Sequence, residues 1–394
     1  MKTNWNRNLR QVLDARWLKI PLATGLLLGA VACASDTTNE QATEATAAEA
    51  SMETQDTDAI VANLTPAKPK PAWAPEITNQ MQVVLEALDS LQSGPPLSEL
   101  SAEQARKAPT PADAAMAVVK KNNIPQPPMQ VDTTGQSVPV DGGNIHVRVY
   151  TPQNSGSSNP GIVYYHGGGW VIAGIDTYHA SARALAEKTG AVVVSVAYRQ
   201  APEHKFPTAH NDSFAAYKWV IDNAQSLKIN PDKVAVAGES AGGNLAAAVS
   251  MMARDNNTKM PVHQLLVYPI AGHDFNTESY NKYAEAKPLS KAGMQWFFDK
   301  YLAKPADAQN PMISLVSAPN LKNLPPATII NAQLDPLMTE GQMLADKLKD
   351  AGIPVETKVY DGVTHEFFGM ATVLPQAKEA QQMAVDELKK SFNK

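Results

Sequence analysis

Val234-Ala235-Val236-Ala237-Gly238-Glu239-Ser240-Ala241-Gly242-Gly243 is the stretch on which the reading of this chain turns. A short apolar run with strand character leads into Gly238, and an alanine-rich stretch, Ala241–Ala253, reads as a helix. Glycines on both sides of Ser240 permit a sharp strand-to-helix turn that lifts the hydroxyl above the end of a sheet. The helix that opens behind it aims N–H groups at any negative charge developing there. A G-x-S-x-G pentad also fits a plain glycine turn at a helix start. The strand before it and the helix after it are what favour a nucleophile.

Working outward from this turn, strand and helix signals alternate. Ile145, Val147 and Val149 alternate with polar residues, as in a strand with one exposed face. Short apolar runs follow at Gly161–Tyr165, Ala191–Ala197, Val234–Ala237, Leu265–Tyr268, Ala327–Asn331 and Val355–Tyr360. Helical stretches separate them, at Tyr178–Lys188, Asn211–Asn223, Ala241–Ala253, Leu337–Ala351 and Gln376–Phe392. This order predicts an α/β fold with a mainly parallel central sheet flanked by helices. Three helices are predicted ahead of the first strand, at Glu76–Leu91, Ser101–Lys107 and Ala112–Lys121. The stretch His273–Met312, with Trp296, Phe297, Phe298 and Tyr301, breaks the rhythm. Residues 76–130 and 273–312 are therefore read as two pieces of a helical cap.

A serine nucleophile needs a base, an orienting carboxylate and donors for the oxyanion. His166-Gly167-Gly168-Gly169 stands at the end of the strand Gly161–Tyr165. Consecutive glycines let backbone N–H groups turn toward a ligand, so Gly167, Gly168 and Ala241 are the expected oxyanion-hole donors. No phosphate-loop pattern is present to claim these glycines instead. His166 is read as a residue that fixes the loop. After a nucleophile elbow the chain order is serine, then acid, then histidine. His263, His273 and His365 follow Ser240. His365, just after the last strand, fits best. Asp335, at the end of the strand Ala327–Asn331, is the expected acid. Asp361 is its rival, and helix capping is the plainer role for Asp335.

These residues resemble the hormone-sensitive-lipase-like branch of the α/β-hydrolases, the bacterial family IV esterases. The matching blocks are Tyr165-His166-Gly167-Gly168-Gly169-Trp170, Tyr198-Arg199-Gln200-Ala201-Pro202-Glu203-His204, Gly238-Glu239-Ser240-Ala241-Gly242-Gly243, Asp335-Pro336-Leu337 and His365-Glu366-Phe367-Phe368. The resemblance implies an α/β-hydrolase fold with an N-terminal helical cap, and Ser240, Asp335 and His365 as a catalytic triad. It further implies a small-molecule ester of short-to-medium acyl length as substrate, and neither metal nor organic cofactor. Amidase, lactonase or deacetylase chemistry on the same machinery is the alternative. A non-catalytic binding homologue fits poorly, because all three triad residues are present. The sequence departs from the family pattern at several places. Glu239 stands where Asp is frequent, Gln200 and Lys205 replace Leu and Pro, and Glu366 occupies a position usually held by a small residue. A Glu366 turned toward the His365 ring would raise its pKa. Arg199 and Glu203 are expected to pair and hold a loop. Trp170 is expected either to line the acyl or alcohol pocket or to pack beneath the cap.

Composition bounds the rest. The chain has 394 residues, 44% of them hydrophobic, and a formal net charge of −5, so nucleic acid is not an expected partner. Lys2, Arg7, Arg10, Arg16 and Lys19 precede an apolar run from Ile20 to Ala32. That run is too short to span a bilayer and suits the core of a signal peptide. It ends Ala30-Val31-Ala32-Cys33, which resembles a bacterial lipoprotein processing site, so residues 1–33 read as a signal peptide and Cys33 as its lipidated end. Cys33 is also the single cysteine, which excludes a disulfide framework. Residues 34–75, first rich in Ala, Thr and Glu and then in Pro, read as a disordered tether. The expected location is the bacterial cell envelope, membrane-anchored through Cys33. Ala34 favours the outer membrane, because the Asp that commonly signals inner-membrane retention is missing. The oligomeric state is left open, a homodimer included.

Overall fold

The structure, a computed structural model, describes residues 57–394. The signal peptide, Cys33 and the tether as far as residue 56 lie outside the described residues. Eight strands form one sheet, and their order is β1-β2-β4-β3-β5-β6-β7-β8. The strands are β1 (Val131–Val140), β2 (Gly143–Pro152), β3 (Asn159–Tyr165), β4 (Val192–Ala197), β5 (Ile229–Glu239), β6 (Gln264–Val267), β7 (Ala327–Leu334) and β8 (Val355–Thr364). From β4 through β8 every neighbouring pair is parallel, and β1 and β2 are antiparallel additions at one edge. The α/β fold read from the alternation is the fold observed.

Parallel strands need helical crossovers, and those helices cover both faces of the sheet. The residues show it directly. Val163 and Tyr165 of β3 face one hydrophobic cluster, Ile162 and Tyr164 the other, and all four are buried. The first cluster takes in α5 (Thr208–Asp222), α6 (Ala241–Asp255) and α9 (Met338–Asp350), through Tyr217, Leu245 and Leu344. The second takes in α4 (His179–Thr189) and α10 (Pro375–Phe392), through Leu185 and Leu388.

The helices ahead of the sheet are α1 (Asn79–Leu91), α2 (Ala102–Lys107) and α3 (Pro111–Lys121). Thr78, Ser101 and Thr110 cap them through side-chain oxygens, and Ser101 and Thr110 form reciprocal capping boxes with Gln104 and Asp113. The later stretch supplies α7 (Glu278–Lys282) and α8 (Lys291–Tyr301). Trp296 Nε1–H on α8 donates to the Leu100 carbonyl at 3.0 Å, which joins the two stretches. Met81 on α1 and Val118 on α3 pack with the α4 and α10 side, whereas Ala105 on α2 and Met294 on α8 pack with the other.

Two elements differ from the sequence expectation. Strand β1 was not anticipated, because its residues Val131–Val140 are mostly exposed and carry no alternation. It pairs along β2 through a tight turn at Asp141-Gly142, where Gly142 has φ +75°. The folded part also starts before residue 76. Residues 57–62 are helical, and Val61, Leu64 and Ala74 are buried among Met81, Val84 and Leu85. The Glu86 carboxylate accepts the Ala67 and Lys68 N–H groups at 2.7 and 2.9 Å. A proline-rich segment with few apolar residues reads as tether, yet these few contacts hold it against α1.

Candidate active site

Topology brings the motifs together. The chain leaves β3 for β4 on one side and then returns to β5 on the other. Between β3 and β5 the strand order therefore reverses, and ligand sites form outside the carboxyl ends of strands at such a point. Tyr165 pairs with Gly238, so the loop that begins at His166 lies beside the turn that carries Ser240. On the far side, Leu334 pairs with Thr364 at the ends of β7 and β8. The next residues are Asp335 and His365, so strand register alone makes these two neighbours.

Ser240 sits at φ +56° and ψ −118°, a conformation an L-residue adopts at a cost of order 1–3 kcal/mol. The flanking glycines make it feasible. A Cβ at Gly238 would lie 2.1 Å from the Gly242 carbonyl oxygen, and one at Gly242 would lie 1.9 Å from that of Tyr165. The Ser240 N–H is held by the Val267 carbonyl at 2.9 Å.

Ser240 Oγ lies 2.9 Å from His365 Nε2, and His365 Nδ1 lies 2.7 Å from Asp335 Oδ2. All three residues are buried. Asp335 Oδ1 also accepts the Leu337 N–H at 2.9 Å, so the carboxylate caps the approach to α9 while its other oxygen meets the ring. The rival Asp361 is exposed on β8. His263 is tied to Ser391 and Thr328, and His273 stands edge-on to Phe275 and Phe298.

The backbone N–H groups of Gly167, Gly168 and Ala241 donate to no protein acceptor among the described residues. Gly168 has φ +96°, and a Cβ there would lie 2.2 Å from the Ile172 carbonyl oxygen. The His166 ring stacks on Tyr198 at 4.3 Å, and its Nδ1–H donates to the Gly167 carbonyl at 2.7 Å. Burial pushes His166 down to about 4, so it stays neutral and fixes the loop.

Two further carboxylates lie near the His365 ring. Glu239, the residue before Ser240, accepts the hydroxyls of Tyr164, at 2.5 Å, and of Tyr268. Burial, together with the nearby Glu366 charge, pushes Glu239 up to about 7. The Tyr268 ring packs on the His365 ring with centroids 4.5 Å apart. Glu366 Oε1 accepts the Tyr178 hydroxyl at 2.5 Å and lies 4.0 Å from His365 Nε2. Burial alone would lower the His365 pKa. The charge and hydrogen bond of Asp335, then the charges of Glu366 and Glu239, outweigh it and leave the pKa raised. Burial also raises Glu366. Among the described residues, no group of three or more His, Cys, Asp and Glu side chains converges to hold a metal.

The structure decides between the two alternatives for Trp170 and corrects the pairing expected of Arg199 and Glu203. Trp170 has no exposed surface. It stacks on Tyr301 at 4.4 Å with Phe298 at its edge, so it packs beneath the cap stretch and does not line a pocket. Arg199 and Glu203 do not pair. Arg199 binds Asp212 at 2.6 Å, and Glu203 binds Arg106 on α2 at 2.6 Å. Arg106 also donates to the carbonyls of Val171 and Ala201, which fastens α2 to the loop beyond the glycines. Arg106 and the phenols of Tyr164, Tyr178 and Tyr268 were not singled out from sequence. Lone residues far along the chain carry no spacing signal. A groove of about 640 Å³ lined by Ile60, Leu64, Val83 and Asn122 shares no residue with this site.

The α/β-hydrolase fold family matches residues 162–369, more than half of the chain. The chain belongs to that family. Its hormone-sensitive-lipase-like branch is the one the sequence blocks resemble. Carboxylesterase NlhH of Mycobacterium tuberculosis is 39% identical over 253 residues, which are 64% of this chain and 79% of that protein. Ethyl acetate hydrolase of Pseudomonas putida is 31% identical over 317 residues, 80% of this chain and 98% of that protein. Among solved structures, the hyperthermophilic esterase from Pyrobaculum calidifontis superposes with a TM-score of 0.70 at 37% identity, covering 79% of this chain and 96% of that one. A thermostable esterase from Pseudomonas putida ECU1011 gives 0.74 at 32% identity, covering 81% and 98%.

Proposed function

We propose that this α/β-hydrolase is a serine carboxylesterase in which Ser240, His365 and Asp335 do the chemistry. The observation that carries the reading is the unbroken chain from Ser240 Oγ through both His365 nitrogens to Asp335, at 2.9 and 2.7 Å, on a strained turn. His365 Nε2 takes the hydroxyl proton as Ser240 Oγ attacks the ester carbonyl carbon. Asp335 holds the proton on Nδ1 and stabilises the imidazolium that forms. The carbonyl oxygen becomes an oxyanion facing the N–H groups of Gly167, Gly168 and Ala241, which have no acceptor among the described residues. The C–O bond breaks, and the alcohol leaves with the proton from Nε2. Water then attacks the acyl-enzyme by the same route and releases the acid.

Small esters with short-to-medium acyl chains are the proposed substrates. The similarity to an ethyl acetate hydrolase supports the short end. The test is turnover of p-nitrophenyl esters from acetate to palmitate beside the matching anilides, with Ser240→Ala as control. Ester cleavage lost in the variant is expected. Cleavage of anilides alone would move the reading to an amidase.

Delivery to the cell envelope as a lipoprotein is part of the proposal. It rests on the apolar run Ile20–Ala32 and on Cys33, the single cysteine. No helix among the described residues is long and apolar enough to cross a membrane. Labelled palmitate uptake by the whole chain, abolished in Cys33→Ser, is the expected result. Equal uptake in both forms would contradict it.

A further inference from the structure

Deacylation asks for something acylation does not. The attacking water carries two protons, and while one goes to His365 Nε2, the other needs an acceptor if the water is to be held in one orientation. Glu366 Oε1 is 4.0 Å from Nε2. That is too far for a direct hydrogen bond. One water donating two bonds of about 2.8 Å spans roughly 4–5 Å between its acceptors, so a water fits this pair.

Three further observations point the same way. The Glu366 side chain is 18% exposed, against 4% for His365 and 0% for Asp335, so it is the most open of these groups. Its carboxylate is fixed by the Tyr178 hydroxyl at 2.5 Å, and that phenol abuts Gly167, where a Cβ would lie 2.2 Å from the hydroxyl oxygen. The carboxylate is thus held between the base and the glycine loop. Glu366 also sits at φ +72°, a left-handed conformation that glycine adopts without cost and glutamate does not.

Building on the esterase reading above, we propose that Glu366 is a catalytic residue of deacylation, the second acceptor that orients the hydrolytic water. The water oxygen forms a bond to the acyl carbon as one of its protons moves to Nε2. Its other proton stays on that oxygen and points to Glu366. The tetrahedral intermediate collapses as the bond from carbon to Ser240 Oγ breaks and Nε2 returns its proton to Oγ. The acid leaves with the second proton.

Methanol separates this role from a general effect of charge on the base, because its one O–H needs only Nε2. The full chain is given p-nitrophenyl acetate at a fixed methanol concentration, and methyl acetate and acetate are measured as products. In Glu366→Gly and in Glu366→Ala the ratio of methyl acetate to acetate is expected to rise at least fivefold. An unchanged ratio in both variants would overturn this role while leaving the esterase reading intact. A wild-type chain that turned over no ester would overturn the esterase reading and this step with it.

Discussion

At the scale of single residues, the proposed mechanism turns on protonation and hydrogen bonding at His365. The ring must be neutral to accept the Ser240 proton. Its pKa is raised because Asp335, Glu366 and Glu239 outweigh burial, so kcat/KM falls on the acid side at a higher pH than an unperturbed histidine would give. Glu366→Gln removes one of those charges, lowers the His365 pKa and moves the acid limb of the pH profile to lower pH. A limb that stayed in place would show that the carboxylate does not act on the ring. His365→Ala should lower kcat by on the order of 10⁴–10⁶-fold, measured on p-nitrophenyl butyrate. That Ser240, Asp335 and His365 meet was legible in the sequence, because strand ends and chain order restrict which residues can stand together. The phenols that hold Glu239 and Glu366 were not legible. Tyr164 sits inside β3, Tyr178 before α4 and Tyr268 after β6, and only the fold brings them to the carboxylates.

At the scale of elements, the turn between β5 and α6 and the tie between α2 and the glycine loop are the vulnerable joints. Gly242→Ala would push a methyl to 1.9 Å from the Tyr165 carbonyl oxygen, which is backbone of a central strand and cannot move aside. A loss of more than about 4 kcal/mol is expected, read as a collapse of soluble yield or Tm. Arg106→Ala removes bonds to the Val171 and Ala201 carbonyls and to Glu203. The expected cost is about 1–3 kcal/mol, with faster amide exchange confined to α2 and the loop after Gly169. Exchange that rose uniformly would show that Arg106 does not fasten this joint. The central parallel strands β3, β4, β6 and β7 were legible because they are buried on both faces and read as apolar runs. The edge strand β1 was not, since solvent accepts nearly any residue there. A two-residue Asp141-Gly142 turn was the signal available for it.

At the scale of the whole molecule, the described fold begins earlier than composition implied. Val61 and Leu64 are buried against α1, and each such side chain contributes about 1.5–3 kcal/mol, less the entropy of ordering the segment. A chain starting at residue 76 should therefore melt at a lower temperature than one starting at 57, by thermal unfolding followed with circular dichroism. Equal melting temperatures would show that the segment adds no stability. The tether reading failed at 57–75 because composition weighs average polarity, whereas a few apolar residues and the Glu86 carboxylate suffice to hold a short stretch in place. The most direct test of the central claim is hydrolysis of p-nitrophenyl acetate, butyrate, octanoate and palmitate by the full chain, with Ser240→Ala measured alongside. Rapid turnover of the short esters, abolished in the variant, is the expected result. Turnover that survives in Ser240→Ala, or none on any ester by the folded wild-type chain, would contradict it.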